Sequence, residues 1–233
     1  MGKERDPRDM RDDAGPAGAA TPAGDEERFD IYDERGAHLG TAPRSEVHAR
    51  GLWHRSIHCW LARRDGGRKL VLFQQRAEGK DTFPGLFDIT AAGHLAAGET
   101  MRDAAREIEE ELGFAVPFEA LIPLGKARKE AAGTAKGLAF VDREISGVYG
   151  CVYEGPLSAL TLQREEVAGV YEAELADMIA LFEGRTNRVR AAGFRLGTDG
   201  APEDAEADVE AASFVPRPAS YYSGVFRDLL LRL

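Results

Sequence analysis

No segment constrains this chain as tightly as Gly93–Phe114, GHLAAGETMRDAAREIEEELGF. It reads as a Gly-punctuated loop running into a helix, with Gly113 as the stop signal. On a helix over Met101–Leu112, Met101, Ala104, Ala105, Ile108 and Leu112 form an apolar stripe. Asp103, Glu107, Glu110 and Glu111 form a second, wholly acidic face, because residues three and four apart are neighbours. Like charges at that spacing cost an isolated helix roughly 0.2–0.5 kcal/mol each. Arg102 and Arg106 are nearby but sit toward the flank. A hard divalent cation would offset the repulsion, since Mg²⁺ and Ca²⁺ take several oxygen ligands. A solvated acidic face is the alternative.

The rest of the composition sets bounds. With 233 residues, 43% hydrophobic and 30% charged, the chain suffices for one sizeable domain with appendages. A net charge of −10 argues against non-specific binding to nucleic-acid polymers or anionic membranes. An anionic small molecule remains compatible with that charge if metal ions supply local positive potential. Cys59 and Cys151 each sit in an apolar, strand-like run, which suits buried core thiols in a reducing compartment better than a disulfide. No apolar run approaches the ~20 residues that span a bilayer, and the N-terminus has no apolar signal core. The expectation is a soluble cytoplasmic protein. Its oligomeric state is not legible, and a homodimer is compatible with the chain.

In chain order, residues 1–27 are rich in Ala, Gly, Pro, Asp and Arg without periodicity, and read as a disordered tail. Arg28–Gly40 reads as a hairpin turning at Asp33–Gly36, and Ser45 is a candidate N-cap for a helical turn before Arg50. Leu52–Leu61 reads as a buried strand, Lys69–Gln75 as the next, and Phe87–Ala92 as the strand that delivers Gly93. Between them, Arg76 and Lys80 are candidate contacts for substrate phosphate or, equally, ordinary surface charge. After the acidic helix, strands are expected at Phe118–Lys126 and Gly147–Tyr153, with a mobile loop at Ala127–Gly137. Glu174–Phe182 has helical spacing, 184–218 reads as an irregular insertion with an acidic middle, either a hairpin or a linker over the core, and Tyr221–Leu233 as a docking helix.

The loop and helix resemble the Nudix box, the signature of the Nudix hydrolase superfamily. Gly93, Glu99, Arg106, Glu107, Ile108, Glu110, Glu111, Gly113 and Phe114 supply all of its specified residue types. The departure is in spacing: six residues, not seven, separate Glu99 from Arg106, which puts the placement of Glu99 in question. The stretches APRSEVHARGLWHRSIHCWL, DTFPGLFDITAAGHL and DREISGVY are further similar to the branch related to type I isopentenyl-diphosphate isomerases. The resemblance, which runs from about Phe29 to Phe182, implies an α/β/α sandwich with a mixed sheet, an α/β (α+β) fold, and residues 28–233 are expected to form one domain with 184–218 as an insertion.

It also implies site residues. Glu107, Glu110 and Glu111 are then the ligands of Mg²⁺ or Mn²⁺, joined by the Gly93 carbonyl and a late acidic residue, Glu144, with the weaker pair Glu165 and Glu166 for the same role. Glu107 is the first candidate for general base, Arg106 orients the carboxylates, and His94 is a candidate substrate contact. The isomerase branch implies a second metal site at His48, His54, His94, Asp142 and Glu144, a His/carboxylate set suited to Mn²⁺, Zn²⁺ or Fe²⁺. Isomerisation also needs a cysteine just before the Gly-His pair, and here that position is Ala92, whose methyl group cannot donate a proton. The leading expectation is therefore metal-dependent hydrolysis of a diphosphate linkage in a nucleoside diphosphate derivative or other small organic diphosphate. Isomerisation of isopentenyl diphosphate and a non-catalytic nucleotide-sensing module are the alternatives.

Overall fold

The structure is a computed structural model that describes residues 26–135 and 138–233. The tail expected over residues 1–27 lies almost wholly outside the described residues. A hairpin of β1 (Arg28–Tyr32) and β2 (His38–Pro43) leads into α1 (Arg44–Arg50). Pro43 rather than Ser45 stands at the N-cap of α1, where its missing N–H costs nothing. The long β3 (Trp53–Asp65) follows, then β4 (Arg68–Arg76), β5 (Phe87–Asp88) and β6 (Ala91–His94). The box helix α2 (Arg106–Leu112) comes next, preceded by one 3₁₀ turn, Asp103–Ala105. It is shorter at its start than the apolar spacing suggests, because the Asp103 carboxylate accepts hydrogen bonds from the Thr100 N–H and hydroxyl and holds the entry as a turn. The chain ends with β7 (Ile122–Ala135), β8 (Leu138–Val152), β9 (Val167–Glu174), α3 (Leu175–Phe182), β10 (Val189–Leu196), β11 (Pro202–Val209) and α4 (Ala219–Arg232).

The sheet runs β11-β10-β9-β4-β3-β1-β2, with β5 on β4, and β6 and β8 on β3. β3 organises it. One edge of β3 meets β1 at Trp53, β6 over Ser56–Cys59 and β4 over Ala62–Asp65, while the other runs parallel to β8. Strand alternation then divides its side chains. Ile57, Cys59 and Leu61 share a core with Ile108 and Leu112 of α2, whereas Trp60 and Ala62 share one with Met178, Phe182, Phe226 and Leu229 of α3 and α4. The result is the expected α/β/α sandwich on a mixed sheet. Both cysteines are free and buried. Among the described residues no helix is long and apolar enough to cross a membrane.

One segment differs from its sequence reading, and another resolves between its two alternatives. Ala127–Ala135, expected as a mobile loop, extends β7 and pairs with β8 through Lys129↔Glu144 and Glu130↔Arg143. Charges that look solvated in sequence instead meet across the strands. Within 184–218, β10 and β11 form a hairpin, one of the two alternatives the sequence offers, and it continues the sheet. Val189, Ala191, Phe194 and Val209 are buried by it, and the acidic run is matched by Arg190 on Glu206 and Arg195 on Glu203.

Candidate active site

Two strand registers and one helix end build the site. β6 places Ala92 opposite His58 and His94 opposite Ser56 on β3, and β8 places Glu144 opposite His54 on its other edge. α2 lies over β6 with Glu107 and Glu111 turned inward. A cavity of about 900 Å³ opens between them, lined by Gly93, His94, Glu107, Glu110 and Glu111 on one side and His48, Asp142 and Glu144 on another. Arg76, Lys80 and Arg106 also line it. The structure thus brings nearly all of the sequence-derived candidates to one space, with His54 just behind the wall.

The box carboxylates are unequal. Glu111 is 5% exposed, and one of its oxygens accepts from Gln74 Nε2 and the Ala92 N–H, each at 3.2 Å. Burial pushes its pKa up to about 8, with Glu107 adding to the shift. Burial likewise raises Glu107 to about 7, against the pull of Arg106. Glu110 is half exposed. Arg106 ties the group together, with Nη1 at 2.9 Å from Glu107 and 2.8 Å from Glu110. Its Nε and Nη2 donate to both oxygens of Glu99 at 2.9 and 3.2 Å. The loop that is one residue short therefore still seats Glu99, which also accepts from the Ala96 N–H and closes the loop onto Arg106.

A divalent metal fits these residues. A buried carboxylate beside a half-buried one is expensive when both ionise, and Arg106 is shared with Glu99 and Glu110. The backbone at Gly93 approaches so closely that a Cβ there would stand 2.1 Å from Cδ of Glu107. The linkage has a testable sign. Glu111 has a folded pKa of about 8 against an ordinary value of 4.5, so its contribution to stability is present at low pH and lost as pH rises through that interval. In a chelator, the melting temperature of the wild type relative to Glu111→Gln should therefore fall between about pH 4.5 and 8. Mn²⁺ should reverse the fall in the wild type alone, as thermal melts across that range will read.

The second cluster gathers His48 from α1, His54 from β3, His94 from β6 and Asp142 from β8, with one ligand atom of each within 4.8 Å of all the others. His54 Nδ1 lies 3.1 Å from the Leu52 carbonyl, so it carries the proton and Nε2 presents a lone pair. That Nε2 is buried without a hydrogen-bond partner, and so is Oδ1 of Asp142, 3.7 Å away. Burial lowers the pKa of His48 to about 4 and lowers His54 and His94 as well, which keeps all three imidazoles in the neutral, metal-binding form. Phe29 stacks on His54 with ring centroids 5.3 Å apart and packs against His94, fixing the rings. Two orphaned buried atoms aimed at each other in a His/carboxylate set fit a cation.

Glu144 sits between this cluster and the cavity floor. Its carboxylate accepts from Ser56 Oγ at 2.7 Å and Lys129 Nζ at 3.2 Å, and His58 Nε2 lies 3.9 Å away. Burial opposes its ionisation, but His58 and Lys129 hold its pKa well below the ordinary value. Lys129 also donates to Asp142 at 2.8 Å. Lys80 is paired with Glu166, and Arg76 donates to the Thr82 carbonyl and to Asp88. Lys129 escaped the sequence reading because its segment looked like a loop; period-two alternation with Ala127 and Ala131 was the available signal. Gln74, Ser56 and Arg217 carry no local signal at all.

A profile for the NUDIX domain matches residues 52–192. An uncharacterized Nudix hydrolase of Clostridium acetobutylicum is 34% identical over 206 residues, covering 88% of this chain and 98% of that one. An isopentenyl-diphosphate Delta-isomerase of Mycolicibacterium vanbaalenii is 41% identical over 88 residues, 37% of this chain and 47% of that one. Among solved structures, one from Deinococcus radiodurans superposes with a TM-score of 0.48 and 21% identity over 68% of this chain and 90% of that one. Matched by the domain profile over more than half its length, and akin along most of it to a Nudix hydrolase, the chain belongs to the Nudix family of hydrolases.

Proposed function

We propose that the protein hydrolyses the diphosphate linkage of a nucleoside diphosphate derivative or other small organic diphosphate, using Mg²⁺ or Mn²⁺. The observation that carries this reading is the buried carboxylate of Glu111 beside that of Glu107, which is set against Gly93, in a cavity large enough for such a substrate. Glu107, Glu110, Glu111 and the Gly93 carbonyl would hold the metal. A bound divalent cation supplies charge neutralisation at the phosphate oxygens and acidifies water. Glu107 takes a proton from water as its oxygen bonds to phosphorus, and the bridging P–O bond breaks with its electron pair leaving on the departing phosphate. Arg106 fixes the Glu107 carboxylate for that transfer. Lys80 meets phosphate charge directly, and Arg76 acts chiefly through its field, because Thr82 and Asp88 take most of its N–H groups.

His48, His54, His94 and Asp142, with Glu144 behind them, are proposed as a second cation site of Mn²⁺, Zn²⁺ or Fe²⁺ character. This cluster is the observation that favours the isomerase alternative, and Ala92, beside it on β6, opposes that alternative. The free, buried thiols support a cytoplasmic setting. The deciding experiment is a product-resolved panel of organic diphosphates, isopentenyl diphosphate included, with each metal in turn. Release of phosphate or monophosphate is expected. Deuterium uptake at the allylic carbon of isopentenyl diphosphate without hydrolysis would support isomerisation, and nucleotide binding without turnover would support a sensor.

A further inference from the structure

Arg217 stands in the short segment between β11 and α4, in a Pro-Arg-Pro context with no motif around it. The segment is pinned where Phe214 bridges to Phe87 and the Val215 N–H donates to the Phe87 carbonyl at 2.8 Å. That anchor drives the Arg217 side chain inward until only 8% of it is exposed, on the wall of the same cavity. There Nη1 donates to Asp88 Oδ1 at 2.6 Å and to the Tyr222 hydroxyl at 3.1 Å, and the guanidinium lies 5.8 Å from the Tyr221 ring centroid.

What the guanidinium leaves unspent is informative. A guanidinium has five N–H donors, and its flat fork meets two oxygens of a carboxylate or phosphate. Among the described residues the Nε–Nη2 edge grips both oxygens of a carboxylate twice, Arg106 on Glu99 and Arg63 on Glu172. On Arg217 that edge is unused: Nε is buried with no partner, and among the described residues Nη2 has none. Arg217 and Arg76 also share the single carboxylate of Asp88, one on each oxygen, which leaves this corner with a formal surplus of one positive charge. A buried cation with an idle fork on a cavity wall calls for an oxyanion. His58 and Lys129, which line the same cavity, lie within its electrostatic reach.

We infer that Arg217 receives a terminal phosphoryl group of the substrate, so that the enzyme favours organic diphosphates with an uncapped end over diphosphates capped on both sides. With only 8% of its side chain exposed, Arg217 meets the cavity by an edge of its guanidinium, which suits the end of a substrate chain better than its middle. The inference rests on the hydrolase reading for its substrate class, but its test has an arm that needs no turnover.

The test compares wild type with Arg217→Gln, Arg217→Lys and, as a control on the exposed face of β10, Arg190→Gln. Calorimetric titration with inorganic pyrophosphate in excess Mg²⁺ should show binding weakened roughly 10-fold or more in Arg217→Gln, as befits a lost charged hydrogen bond. Arg217→Lys keeps the charge on Asp88 and loses the fork, so it should fall between the two, and it carries the test if Arg217→Gln does not fold. The control should match wild type. In turnover, Arg217→Gln should raise KM for uncapped diphosphates about 10-fold and change KM for capped ones less than about 3-fold. Wild-type affinity for pyrophosphate in folded Arg217→Gln, or in Arg217→Lys where that variant alone folds, would overturn the inference. So would equal losses on both substrate types, or no pyrophosphate binding by wild type. Absence of wild-type turnover on every diphosphate would instead overturn the hydrolase reading, leaving the pyrophosphate titration to decide the role of Arg217.

Discussion

Glu107→Gln should lower kcat on any diphosphate substrate by about 10²–10⁴-fold, the range typical for loss of a positioned general base. The geometry makes this the most damaging conservative change in the box. Glu107 is the carboxylate against Gly93, it is bonded to Arg106, and burial holds its pKa near the operating pH at about 7. Glutamine keeps the volume and removes both the proton acceptor and a metal-ligating charge. The same substitution removes a charge that burial and Glu110 both disfavour, so the metal-free variant should melt no lower than wild type at pH 8. Activity and stability would then move apart, as expected where a fold holds an unfavourable arrangement for function. Glu110→Gln should cost less, because Glu110 is half exposed and water can replace much of what it offers. Steady-state kinetics with Mg²⁺, beside a thermal melt in chelator, measures both. Wild-type turnover by Glu107→Gln would remove the proposed base.

The sequence alone carried the box helix, its acidic face and the histidine cluster, because each depends on residue identity at short spacing or on a family resemblance. The β1–β2 hairpin, β3, β4 and α3 were legible for a related reason: apolar periodicity and turn residues are local. What stayed hidden depends on pairing. Lys129 and Glu130 read as loop charges until β8 is laid beside them, and only then do they meet Glu144 and Arg143. The strand Pro202–Val209 alternates only weakly, with Ala205, Ala207 and Val209 between acidic residues, and its charges are matched once β10 supplies arginines beside them. Glu99 was left in doubt by a one-residue deletion, yet a guanidinium is long enough to absorb the shift. Arg217 lies 129 residues from Asp88, and nothing short of the folded chain relates the two.

Asp88→Ala should destabilise the protein by about 3–5 kcal/mol, the cost of breaking a buried charged pair from one side. Asp88 is 3% exposed, and its carboxylate accepts from Arg217, Arg76 and the Ile89 N–H. Burial by itself would raise its pKa, but the two guanidiniums hold it below the ordinary 3.8. The depressed value means that Asp88 contributes stability at neutral pH and loses it as pH falls below about 3.8. Alanine would leave two guanidiniums facing each other without an anion, at the strand that leads into Gly93. Urea unfolding at pH 7 should show a lower midpoint with an unchanged slope. A loss under about 1 kcal/mol would mean that water enters and screens the pair, the regime of exposed ion pairs. The double variant Asp88→Ala/Arg217→Gln should be less destabilised than the sum of its singles, because it removes the more buried of the two guanidiniums that the single change leaves without an anion. That non-additivity separates a charge clasp from simple loss of packing, which would add.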